Sequence, residues 1–206
     1  MADRVNGRPP AATDSRLDRL EWYDEDLTGT EHERVLFDEL DMTDSTGARL
    51  RFVDCTFRNG RLDRAKLEAS LFENCTFIRC TLDGAAFGEC KFVGSLFDRC
   101  SLERVDVRGG DWSFVGLAGA PLHKARFEGV RMRETDLTGA DLHEAALLRC
   151  DLSSALWSRA DLRRCDLRGS DVSAIEPGNV ELRGAVVDWP QAVAIAANLG
   201  LDVRPE

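Results

Sequence analysis

Between Phe52 and Val172 a large apolar side chain returns at every fifth residue without a missed step: Phe52, Phe57, Leu62, Leu67, Phe72, Phe77, Leu82, Phe87, Phe92, Phe97, and on through Leu142, Trp157 and Leu162 to Val172. Two residues before each stands a small or slim one, such as Cys55, Ala65, Ser70, Cys75, Ala85, Cys90, Ser95 or Cys165. A helix repeats at about 3.6 residues and a strand at about 2, so this beat fits neither. It suits a chain that turns a corner at each repeat, with the large residue and its small companion inside. Four such sides close a square coil, and coils stack by hydrogen bonds at the strand spacing of ~4.8 Å. The pattern therefore predicts an all-β solenoid whose centre is filled by Phe52, Phe57, Phe72, Phe77, Phe92, Phe97, Leu142 and Leu162. One coil cannot bury its own face, but a stack can.

Departures from the beat mark the boundaries. Residues 1–16 are polar, contain Pro9-Pro10 and show no periodicity, which predicts a disordered tail. Over 17–50 the beat is broken: Leu27, Phe37 and Met42 keep it, whereas His32 and Gly47 do not, as expected of an atypical capping coil. Residues 51–187 form the regular repeat, interrupted at Pro177 and resumed by Leu182 and Val187. Glycines recur two residues after the large apolar position (Gly84, Gly94, Gly109, Gly119), where a tight corner needs positive φ. In 188–206, Asp188-Trp189-Pro190-Gln191 opens a short helix that Gly200 stops. That helix has almost no charged face. It either lies across the end of the stack or meets a second subunit; the homodimer is favoured, because one short helix leaves apolar surface bare.

Composition narrows the chemistry. The net charge of −10 excludes the basic patch that direct binding to nucleic acid or anionic membrane needs. No apolar run spans a bilayer, and Met1–Ala12 has no secretory h-region, so the expected location is cytoplasmic. All seven cysteines fall on the small inward position, which assigns them to the core rather than to metal or disulfides. No catalytic motif and no cofactor motif is present, so an enzyme is not expected.

Residues separated by four beats form columns on the outside. One reads Asp63, Asp83, Glu103, His123, His143, Arg163, Arg183; another ends Asp141, Asp161, Glu181. The stretch 21–44 is strongly acidic, with Asp24, Glu25 and Asp26 leading it. These acids are the candidate partner-binding surface, although Arg61, Arg64, Arg104 and Arg164 stand beside them as neutralising groups. His123 and His143 form a neighbouring pair, a minor candidate for metal binding. Phe114 stands outward beside Val93.

The segments Ala140-Asp141-Leu142, Ala160-Asp161-Leu162, Cys165-Asp166-Leu167 and Ser170-Asp171-Val172 resemble the repeat unit of the pentapeptide repeat family. That resemblance implies a right-handed quadrilateral β-helix with a short C-terminal α-helix. The two ends resemble a narrower group, the MfpA and Qnr type, through Asp24-Glu25-Asp26-Leu27 with Glu33-Arg34 and Phe37, and through Val187-Asp188, Gln191-Ala192-Val193-Ala194 and Gly200-Leu201. Proteins of that type are dimeric rods that bind DNA gyrase, imitate duplex DNA and lower sensitivity to fluoroquinolones or other gyrase poisons. The resemblance implies the same partner, gyrase or topoisomerase IV, and a dimer contact through Trp189, Val193, Ile195, Ala196, Leu199 and Leu201. The unbroken beat leaves no place for the projecting loops of Qnr proteins. A scaffold with another protein partner is the alternative.

Overall fold

The computed structural model describes residues 11–204. Its chain winds into a four-sided parallel β-solenoid followed by one helix, Trp189–Asn198. Every strand pair is parallel, and each residue faces the one 20 positions on: Phe37 pairs with Phe57, Phe57 with Phe77, Phe87 with Val107 and Phe127 with Leu147. Three of the four sides carry short strands; the Leu62 side is joined by isolated bridges such as Arg61 to Thr81 and Asp141 to Asp161. Each interior coil is hydrogen-bonded to the coils on both sides of it, for instance from Phe72 N to the Lys91 carbonyl (2.7 Å) and from Leu71 N to the Leu50 carbonyl (2.8 Å).

The centre is a stack of rings in the N-terminal half. Phe37, Phe57, Phe77 and Phe97 lie face to face at 5.0, 4.7 and 4.6 Å, and Phe52, Phe72 and Phe92 make a second file at 5.1 and 4.6 Å. Trp112 ends the files against Phe92 at 4.3 Å, and above it the core is mainly aliphatic. All the expected core residues, Leu142 and Leu162 included, are buried.

Two expectations change. The coil starts earlier than residue 17: strand Ser15–Asp18 pairs with Val35–Asp38, and Asp14 N already donates to the Arg34 carbonyl, at 2.7 Å. This stretch looked like tail because charge, not apolar bulk, fixes it: Arg34 meets Asp14 at 2.6 Å and Arg16 meets Asp38 at 3.0 Å. The rest of the expected tail, residues 1–10, lies outside the described residues. Next, His32 and Gly47 keep the register. His32 stacks on Phe52 at 5.6 Å, and Gly47 pairs with Leu67 while Leu50 fills the space a side chain would take. The corner glycines have positive φ as expected, and the other residues at that position share it. Every fifth residue from Arg19 to Gly169 has positive φ, arginines, glutamates and Phe114 among them. The left-handed region costs a non-glycine residue roughly 1–2 kcal/mol, so the stack imposes this conformation on most of its corners.

The small inward position has a second task besides fitting. Ser95 Oγ donates to the Phe72 carbonyl (2.8 Å) and accepts from Cys75 N (3.0 Å). Ser70 accepts from Leu50 N, Ser170 from Cys150 N, and the Cys100 thiol from Cys80 N. Serine and cysteine there supply the partner that a buried amide otherwise lacks. All seven thiols are free and buried. Burial pushes the Cys90 and Cys150 thiols up to about 11 and Cys165 up to about 12. They stay protonated and unreactive at neutral pH.

Ser95→Ala should therefore lower stability by about 1–3 kcal/mol in urea unfolding, by stranding the Cys75 amide. Phe77→Ala should cost about 3–5 kcal/mol. A thiol reagent should find no reactive cysteine in the native protein and all of them in denaturant.

Candidate functional site

The two ends of the rod are chemically opposite. At the N-terminal end Trp22 lies over the ring stack, 5.8 Å from His32 and 5.9 Å from Phe37. Around it the first coil exposes Glu21, Asp24, Glu25 and Glu31, and none of these four has an ion-pair partner among the described residues. Glu25 occupies the small inward position and is exposed there among the described residues. Asp26 is tied differently: the Thr28 hydroxyl and amide donate to it at 2.6 and 3.0 Å and hold its carboxyl below the ordinary value. A charged edge of this kind also discourages edge-to-edge pairing.

Along the Leu62 side the expected acids do stand in line, but their surroundings differ. Asp63 accepts from the Thr81 hydroxyl and the Asp83 amide, both at 2.9 Å; Asp83 accepts from the Ser101 hydroxyl (2.6 Å) and the Glu103 amide (3.1 Å). All these donors are neutral, and they fix each carboxylate in place without an ion pair. Their neighbours do pair: Asp41 with Arg61, Asp44 with Arg64 at 2.6 Å, and Glu103 with Arg104 at 3.1 Å. Farther up, Asp141 accepts from the His143 amide at 3.0 Å, and Asp161 is closed by Arg163. Glu181, exposed on the last coil, makes no ion pair among the described residues. The acidic surface is thus a patchwork: Glu21, Asp24, Glu25, Glu31, Asp63, Asp83, Asp141 and Glu181 make no ion pair among the described residues, whereas Asp41, Asp44, Glu103 and Asp161 do.

His123 and His143 are adjacent, with ring centroids 5.3 Å apart. His123 Nδ1 donates to the His143 carbonyl at 2.8 Å, and among the described residues no third metal-ligating group joins them. Phe114 is exposed, as expected.

The helix at the other end is moored by polar groups. Asp188 and Gln191 form a capping box, and the Gln191 amide donates to the Leu167 and Ser170 carbonyls, the latter at 2.8 Å. Asn198 donates to the Ser173 and Ile175 carbonyls at 3.0 and 2.8 Å. Neither interaction was anticipated; Gln at the third helical position after an acidic cap was the available signal. This mooring divides the residues expected to contact a second subunit. Ile195 packs on the rod's own core, and Val193 and Ala196 are half-buried. Trp189, Leu199 and Leu201 are 79%, 59% and 60% exposed, and Val186 and Val203 lie open as well. The helix is not buried all round; it presents an apolar face outward. Among the described residues no helix is long and apolar enough to cross a membrane.

The carboxylates also set the acid limit of stability. The Arg163 guanidinium holds Asp161 below its ordinary value, with partial burial opposing, and Arg168 does the same for Asp166. Carboxyls depressed in the folded state stabilise fully above their unfolded value of about 3.9 and lose that contribution as pH falls through the folded one. The urea midpoint should fall steadily below about pH 4. Asp161→Asn should flatten that acid limb by lowering the neutral midpoint toward the acid one.

Comparison with known proteins identifies the repeat. The pentapeptide repeat region model matches residues 50–127, and the model of pentapeptide repeats in 8 copies matches 117–153 and 147–174. A search of curated proteins found no match. Among solved structures, the chain is similar to trypsin-treated QnrB1, described as a plasmid-mediated fluoroquinolone resistance protein, at 20% identity and a TM-score of 0.42, covering 94% of this chain and 100% of that one. It is also similar to HetL of the cyanobacterium Nostoc, described as involved in regulating heterocyst differentiation, at 19% identity and a TM-score of 0.37, covering 85% and 87%. A third is Rfr23 of the cyanobacterium Cyanothece, at 15% identity and a TM-score of 0.26, covering 79% and 87%. With family matches running from residue 50 to residue 174 of 206, the chain belongs to the pentapeptide repeat family.

Proposed function

We propose that this chain is a non-enzymatic cytoplasmic rod that dimerises through its C-terminal end and binds DNA gyrase in place of duplex DNA, shielding it from fluoroquinolones or other gyrase-directed toxins. The observation that carries the reading is the fixed pair Asp63 and Asp83, neither closed by an ion pair among the described residues, with the free acids Glu21, Asp24, Glu25 and Glu31 at the N-terminal end. A DNA mimic needs negative charges that are both held in place and left unpaired, and these are. The resemblance of both chain ends to the MfpA and Qnr type supports the same partner. Duplex DNA carries a charge about every 1.7 Å, whereas carboxylates on successive coils stand ~4.8 Å apart. The imitation is therefore of shape and local pattern rather than of charge density.

Dimerisation follows from the contrast between the ends. An apolar face containing Trp189, Leu199 and Leu201 is costly to leave in water, while the charged N-terminal edge repels its own kind. A two-fold contact of like with like joins the helical ends and sets the acidic ends at the far tips. A second reading, a scaffold for a different protein, is favoured by one observation: on the Phe57 side Leu156 stands exposed near Ala118, Thr138 and Ser158, with Asp136 beside it.

In a supercoiling assay with a fluoroquinolone, the protein should inhibit gyrase or restore its activity in a salt-sensitive way. Asp63→Asn with Asp83→Asn, which keeps each acceptor oxygen and removes the charge, should weaken the effect severalfold without changing the fold. No inhibition, no protection and no capture of either gyrase subunit would turn the reading toward the scaffold. Trp189→Glu with Leu199→Glu should give a monomer of unchanged circular dichroism in sedimentation, against a dimer for the native chain.

A further inference from the structure

The stack is broken at one place among the described residues. Positive φ recurs at every corner up to Gly169, fails at Ala174 and Asn179, and returns at Gly184. Over Pro177–Asn179 the chain makes a single 3₁₀ turn instead of a flat side. The ladder slips with it: Gly139 N donates to the Ser158 carbonyl, but Arg159 N, one coil on, reaches one residue farther, to the Asn179 carbonyl at 2.7 Å. Register is restored at once, since Glu181 N meets the Ala160 carbonyl at 3.0 Å as the pattern requires. The cause is local. Proline stands where a large core residue belongs, its φ is fixed, and it has no N–H to donate. Ile175, two residues earlier, takes the core place instead and is fully buried.

The bowed segment leaves a groove of about 300 Å³ against the coil below, lined by Leu156, Trp157, Ala174, Glu176, Asn179 and Val180, with hydroxyls of Thr138 and Ser158 at its margin. Both lips are held. Asn198 of the helix grips the Ser173 and Ile175 carbonyls, and Asn179 Nδ2 donates to Ser158 Oγ at 3.3 Å. Trp157 is almost wholly buried, and its indole N–H finds no acceptor. Glu176 is the one charged side chain in the lining; it is exposed and makes no ion pair among the described residues. Arg159, beside the groove, is not part of the lining.

A preformed, mostly apolar groove with one unpaired carboxylate at its rim has a definite chemical complement. We propose that it receives an arginine side chain of a partner polypeptide, the aliphatic stem lying over Leu156 and Ala174 and the guanidinium meeting Glu176. Arginine fits better than lysine. Its planar fork matches a carboxylate, and its weaker hydration suits a half-apolar setting. The chain's net charge of −10 draws basic segments toward it before contact. This site is independent of the gyrase reading: it lies on the Phe57 side near the C-terminal end, away from Asp63 and Asp83.

The test uses the full-length ¹⁵N-labelled chain and the dipeptide acetyl-Leu-Arg-amide. The indole resonance of Trp157, assigned with Trp157→Phe, should shift saturably at millimolar dipeptide while that of Trp112 stays still. Glu176→Gln should weaken binding about tenfold, and its unmoved Trp112 resonance would show an intact fold. Acetyl-Leu-Glu-amide should not bind. No shift, an undiminished affinity in Glu176→Gln, or equal binding of the glutamate dipeptide would overturn the proposal. Agmatine binding as tightly as the arginine dipeptide would overturn the polypeptide occupant.

Discussion

The hydrogen-bond ladder between residues 20 apart is the constraint on which everything else in this molecule rests. No side of a coil is long enough to be a stable strand by itself. Each exists because the next coil offers donors and acceptors at the same height. The ladder in turn demands a corner at every fifth residue, and the corner demands positive φ whether or not a glycine is present. Interactions between neighbouring coils therefore support a backbone that most of these residues would avoid in isolation. The ring files of Phe57, Phe77 and Phe97 and of Phe52, Phe72 and Phe92 are consequences of this register, since identical positions come to lie over one another.

The same constraint makes the surface a lattice. A carboxylate one residue past the large apolar position can accept the amide of the residue one coil on, as Asp63 does from Asp83 and Asp83 from Glu103. Structure and charge display are then one feature: the bond that helps fix the coil also aims the charge. Asp161 differs: one residue before the large apolar position, it accepts the amide and guanidinium of Arg163 in its own coil, and its charge is lost to partners. What the rod can recognise is decided by which of these two arrangements each coil carries. The ends escape the lattice, one exposing free acids and the other an apolar helix face, and so they differ most from each other.

Much of this was legible in the chain before any coordinates. The beat from Phe52 to Val172 specifies the stack, the core and the burial of every cysteine, because a fixed period admits few ways to bury its large residues. The first coil was harder to read. His32 and Gly47 hide the beat from a hydropathy pattern, yet a half-buried imidazole stacked on Phe52 and a gap filled by Leu50 preserve it. The paired and unpaired acids could not be told apart from their columns alone, since both kinds have arginines nearby in sequence. Only the direction each arginine takes separates Asp44 from Asp63. Serine and cysteine at the small position were legible as slim residues but not as hydrogen-bond partners, because the amides they satisfy lie a whole coil away.

The central claim is that coils are equivalent units locked by a register of 20. Duplicating residues 77–96 adds one whole coil and leaves every register intact. Inserting two residues after Cys80 breaks it for everything beyond. Urea unfolding followed by circular dichroism, compared across the native chain and these two variants, is the direct measurement. The account predicts that the duplicated chain folds with a midpoint at least equal to the native one, and that the two-residue insertion loses the cooperative transition or most of its midpoint. Equal behaviour of the two variants, or collapse of the duplicated chain, would contradict it.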